Sequence, residues 1–173
     1  MTAPANAMPD IADLVIDEPG WERLDLAALC ENAFAAVLEH QALPGAFEIA
    51  VLACGDARIA ELNGEFRARP LPTNVLSWPE EELASKIDGG APIRPAPADG
   101  PFPVELGNIA IAFDTCMREA AEADKPVPDH VLHLLVHGAL HLLGYDHVRD
   151  KDAALMEGIE VEILAKLGYP NPY

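Results

Sequence analysis

The sequence predicts an α+β domain: a small mixed sheet of about four strands with several helices packed against it. Three observations lead there. Segments of strand and helix character are interspersed along the chain without an internal repeat. Half of the 173 residues are hydrophobic, enough to bury a core in a single domain spanning 1–173. Five of the six histidines fall between residues 130 and 147, inside one predicted helix and the turn that follows it.

Residues 13–17 form a short apolar run that reads as a first strand. From about Trp21 to His40, Leu24, Leu26, Leu29, Phe34, Val37 and Leu38 recur at helical spacing. Pro44-Gly45 ends that helix, and Phe47 to Ala53 reads as a strand. A second helix opens at Gly55-Asp56, with Asp56 expected as its N-cap and Ile59, Leu62 and Phe66 as its inner face. Thr73 to Trp78, branched and apolar between two prolines, predicts another strand.

Residues 80–103 hold Gly89-Gly90 and five prolines, which predicts a mobile surface loop, too short to divide two domains. A strand over Val104–Ala112 follows, then a helix through Met117 and Ala120. Past Pro126 and Pro128, Asp129 is placed to cap a histidine-bearing helix from about His130 to Leu143. A last helix, about Lys151 to Leu167, carries Leu155, Ile159, Ile163 and Leu167 on one stripe.

Composition excludes several classes. No apolar run approaches the roughly 18 residues that span a bilayer, so no membrane partner is expected. The opening Met-Thr-Ala-Pro-Ala-Asn lacks a basic region followed by an apolar one, which argues against a signal peptide and for the cytoplasm. Cys30, Cys54 and Cys116 are odd in number and widely spaced, so they read as buried thiols in a reducing compartment. The net charge of −18 disfavours broad binding to nucleic acid, because polyanions bind by trading counterions for Lys and Arg. No DNA partner is expected, and an RNA substrate would need a local positive site or a protein partner.

The chemistry concentrates in His137-Gly138-Ala139-Leu140-His141-Leu142-Leu143-Gly144-Tyr145-Asp146-His147. Two histidines four apart share one helix face. Gly144 allows a left-handed turn that returns His147 beside them. Three neutral imidazoles suit one Zn2+ with an open fourth position, the catalytic arrangement. HxxxHxxGxxH is the metzincin pattern, so the helix is zincin-like. Those peptidases carry a Glu general base after the first His, where this chain has Gly138. A zinc peptidase would need another base, such as Asp146. RNA instead brings its own nucleophile, the 2′-hydroxyl. Asp146 could orient a ligand imidazole or simply brace the turn. His133 reads as a packing or hydrogen-bonding neighbour of the ligands, and His40 as a solvated helix-end residue.

The histidine segment resembles the YbeY signature HGxLHLxGYDH at every specified position. Glu61-Leu62-Asn63 through Arg67 and Pro72-Thr73-Asn74-Val75-Leu76-Ser77-Trp78-Pro79 resemble that family's ELN…R…PTNVLSFP, and Leu106-Gly107-Asn108-Ile109 its LGDI. Leu167-Gly168-Tyr169 also fits, so the likeness spans about residues 47–169. Trp78 stands where Phe is usual, Asn108 where Asp is usual, and the Pro-rich stretch looks like an insertion. The resemblance implies a metal-dependent endoribonuclease, with zinc on His137, His141 and His147. Its implied substrate is single-stranded ribosomal RNA in small-subunit maturation, with ribosomal particles or assembly proteins as partners. It also implies that Arg67 matches a functional arginine.

A guanidinium there could grip a phosphate bidentately and offset transition-state charge. Arg69 is a further candidate for substrate binding, and Arg58 reads as a solvated helix position paired with Glu61. Trp78 could stack on a base, although strand aromatics more often sit in the core. A non-catalytic ribosome-assembly factor with a structural metal is the main rival.

Overall fold

The computed structural model describes residues 10–173. The opening residues 1–9, on which the expectation of no signal peptide rests, lie outside the described residues. The strands are β1 (Ala12–Ile16), β2 (Phe47–Cys54), β3 (Val75–Pro79) and β4 (Val104–Ala112). The helices are α1 (Leu26–His40), α2 (Asp56–Arg67), α3 (Phe113–Glu122), α4 (Val127–Leu142) and α5 (Asp150–Lys166). The sheet runs β1-β2-β4-β3, with the first two pairings parallel and β3 antiparallel to β4 at an edge. It is an α+β fold with a mixed sheet, as the sequence predicts.

Strand alternation divides the sheet into two faces. Ile49, Val51, Ala53, Ile109 and Ile111 join one core with Phe34 and Val37 of α1 and Val131, Leu135 and Leu140 of α4. On the other face Leu76 and Ala110 pack with Ile59 and Leu62 of α2. The buried thiols Cys30, Cys54 and Cys116 belong to these cores, and burial above all pushes them up to about 12, 11 and 12. Among the described residues no helix is long and apolar enough to cross a membrane.

Four local expectations are corrected. The helix predicted from Trp21 is split: a 3-10 turn, Pro19–Arg23, precedes it, and Asp25 caps α1 by accepting the Ala28 N–H at 3.3 Å. Trp21 anchors that turn, fully buried with its Nε1–H donated to the Cys54 carbonyl at 2.9 Å. Asp56 does not cap α2; Gly55 is the N-cap, and Asp56 accepts the backbone N–H and hydroxyl of Thr115, tying α2 to α3. Phe66 is 58% exposed and packs edge-on against Trp78, in the last turn of α2 beyond that helix's buried residues Ile59, Leu62 and Asn63. Asp129 does not cap α4, which starts at Val127 after Pro126, but it lies in the first turn, where a carboxylate suits the helix dipole.

The stretch 80–103 is a surface loop without helix or strand, tied to its surroundings by hydrogen bonds. Arg94 donates to the carbonyls of Gln41 and Ala42, Arg149 to that of Ser85, and Ile93 N–H to that of Leu83. Leu83 is buried, which brings this strap against the turn after α4.

Candidate metal centre and cleft

α4 ends in a glycine-terminated cap. Gly144, at φ +96°, donates to the His141 carbonyl, and Tyr145 N–H donates to that of Leu140, the paired bonds of a Schellman motif. A side chain at Gly144 would also meet the Leu83 backbone at 2.7 Å, so the turn and the strap fit only around a glycine. The reversal carries His147 back to α4, its ring centroid 5.3 Å from that of His137 and 5.0 Å from that of His141. One nitrogen from each of the three rings lies within 4.8 Å of the others.

His137 and His141 point their Nε2 atoms together, 3.0 Å apart. Tetrahedral zinc with Zn–N near 2.0–2.1 Å places its nitrogens about 3.3 Å apart, so the pair is close to that spacing. Each ring is also oriented from behind. His141 Nδ1 is 2.9 Å from the Tyr145 carbonyl, and His137 Nδ1 is 2.5 Å from Glu160 Oε1. These acceptors place the proton on Nδ1 and leave Nε2 free to ligate. Burial, then the neighbouring His137 and His147, push His141 down to about 4, so it is neutral at pH 7 and able to donate its lone pair. The donor set and its spacing fit a divalent ion.

The cluster opens into a cleft of about 810 Å³ lined also by Arg67, Arg69, Thr73, Asn74 and Ser77. Arg67, on the last turn of α2, donates from Nη2 to the Ser77 carbonyl at 3.0 Å. Ser77 Oγ in turn faces the Gly138 carbonyl at 3.4 Å, so edge strand β3 links the guanidinium to the ligand helix. Arg69 shares the cleft, whereas Arg58 lies outside it and pairs with Glu61 at 3.0 Å. Asp146 lines the cleft and accepts the His147 backbone N–H at 2.7 Å, which braces the turn.

Trp78 is not in this cleft. Ser77 and Trp78 are successive residues of β3, so when Ser77 faces α4 the indole faces the opposite side, beside Phe66 and Asn108. His133 lies within hydrogen-bond reach of Glu160, as a neighbour of the ligand group, and His40 pairs with Glu162 at 2.8 Å.

Glu160 was missed from sequence. Its carboxylate is wholly buried, and burial alone would raise its pKa. Hydrogen bonds from His133, His137 and Tyr173 outweigh that and hold it at about 2. The available signal was an acid four residues after Met156, on the stripe of α5 that turns inward.

A helix with two histidines one turn apart, a glycine-pivoted third, and an open cleft is the framework of a metal-dependent hydrolase. The family described as Endoribonuclease YbeY matches residues 17–168, and the chain belongs to it. The Endoribonuclease YbeY of Dinoroseobacter shibae is 57% identical over 171 residues, covering 98% of this chain and 92% of that one. The protein of the same name from Ruegeria pomeroyi is 56% identical, over 93% of this chain and 96% of its own. The solution structure of TM1509 from Thermotoga maritima shares the fold, with a TM-score of 0.54, 20% identity and 91% of each chain covered.

Proposed function

We propose that this chain is a zinc-dependent endoribonuclease that cuts single-stranded ribosomal RNA during small-subunit maturation in the cytoplasm, working as one domain. The observation that carries the reading is the convergence of His137, His141 and His147 in the same cleft as Arg67. When bound, zinc supplies Lewis-acid polarisation of a phosphoryl oxygen and acidification of water. Arg67 grips the scissile phosphate, held in aim by the Ser77 carbonyl, and Arg69 steadies a neighbouring phosphate. These two cations line the cleft together with Glu81, Glu82 and Asp146, so in a chain of net charge −18 a bound divalent ion would supply the further positive charge that a polyanion needs.

Gly138 argues against the peptidase alternative. A Cβ there would stand 3.0 Å from Ile109 Cδ1 and 3.2 Å from Ser77 Oγ, so the residue serves the close approach of α4 to the sheet. No carboxylate follows the first ligand to act as base. The strand's own 2′-hydroxyl is a nucleophile that lessens that need.

The deciding experiment is cleavage of precursor rRNA by wild type, His141→Ala and Arg67→Glu, with zinc content measured on each sample. Metal-dependent cutting by wild type alone supports the reading. Binding to ribosomal particles without any cleavage would favour the assembly-factor alternative.

A further inference from the structure

Glu160 is an acid with no solvent exposure among the inward-facing residues of α5, and its contact with His137 is only part of what surrounds it. Burying a carboxylate is costly unless donors surround it. Three do. His133 Nε2 lies 2.8 Å from Oε2, the Tyr173 hydroxyl donates to the same oxygen at 2.6 Å, and His137 Nδ1 lies 2.5 Å from Oε1. The Tyr173 ring stands edge-on to His133, with centroids 5.9 Å apart, so the segment after α5 is packed onto α4 at this point.

His133, His137 and Glu160 also bring potential ligand atoms within 4.8 Å, which makes them a possible second metal group sharing His137 with the first. The geometry argues for a different role. His137 turns Nε2 toward His141 and Nδ1 toward Glu160. Ions on both sides would require that imidazole to lose both ring protons. One ion at Nε2 with a hydrogen bond at Nδ1 requires no such loss, and Glu160 already has its donors.

We infer that Glu160 is a positioning residue for the metal centre: it holds His137 with the proton on Nδ1 and Nε2 aimed into the cleft, while His133 and Tyr173 lock the carboxylate itself. The inference rests on the reading that His137, His141 and His147 bind metal. A carboxylate behind a ligand imidazole fixes the ring and strengthens it as a donor. Tyr173, 26 residues or more along the chain from every ligand, thereby becomes part of the support of the site.

The test is zinc affinity by competition with a chromophoric chelator for wild type, Glu160→Gln, Tyr173→Phe and His141→Ala. Urea unfolding of the zinc-free form is measured on the same samples. Glu160→Gln keeps the side chain's size and removes its charge, and is expected to weaken zinc binding about 10–100-fold. Tyr173→Phe keeps the ring and is expected to weaken it by a smaller factor. A folded Glu160→Gln with wild-type zinc affinity overturns the assignment, even if its urea midpoint falls. Should Glu160→Gln not fold, Tyr173→Phe decides: weakened zinc binding supports the assignment and unchanged binding overturns it. A wild type that takes up no zinc, or a His141→Ala that binds it as wild type does, overturns the metal reading and this inference together; a wild type that binds, with Glu160→Gln and Tyr173→Phe binding equally and His141→Ala not, overturns this inference alone.

Discussion

Arg67 is held by Ser77: the guanidinium Nη2 donates to the strand carbonyl at 3.0 Å. Two elements that meet only in the folded chain, the end of α2 and edge strand β3, therefore set where the cation sits in the cleft. The bond spends one donor and leaves the rest of the fork for a ligand. Arg67→Glu is expected to keep zinc and fold while lowering the cleavage rate by about 10²-fold, the usual cost of losing a charge-stabilising donor. Single-turnover cleavage with metal analysis checks it, and normal cutting would remove Arg67 from the mechanism.

His141 is a half-buried ligand, oriented by the Tyr145 carbonyl. His141→Ala is expected to lose both zinc retention and cleavage. If the variant still holds one equivalent of zinc through dialysis, the ligand set is wrong.

Gly138 sits where α4 crosses Ile109 and Ser77. Gly138→Glu would restore the residue that zinc peptidases carry, yet overpacking here is expected to cost about 1–3 kcal/mol. No peptidase activity is expected to appear. A urea midpoint at or above that of wild type would contradict the packing argument.

Acid should weaken the zinc-free protein in two stages. His141 is lowered from 6.5 to about 4 on folding, so between those values the unfolded chain binds the proton more readily and stability falls as pH drops. Glu160, lowered from 4.5 to about 2, adds a loss that begins below its unfolded value and is complete once pH passes its folded one. Urea unfolding with a chelator from pH 7 to 5 isolates the first stage. His141→Gln is expected to flatten the slope over that interval, and an unchanged slope would assign the effect elsewhere.

The helices and strands were legible from periodicity and punctuation, because each is set mainly by neighbours along the chain. The splitting of the first helix was less so. Leu24 and Leu26 continue a helical rhythm that the Trp21 turn and the Asp25 cap interrupt. Phe66 kept its apolar character but not the expected inner-face placement, whereas Trp78 packs against the second core as strand aromatics usually do; which face a residue joins depends on how α2 lies across the sheet.

By itself the sequence determined the element order, the histidine spacing, the glycine pivot and the absence of a carboxylate after His137, all properties of adjacent residues. Only the tertiary structure decided that Glu160 stands behind His137, that Ser77 aims Arg67, and that the strap around Leu83 closes on Gly144. Those contacts join distant segments through packing. No local pattern encodes them, because burial and hydrogen-bond partnership exist only once the helices have docked on the sheet.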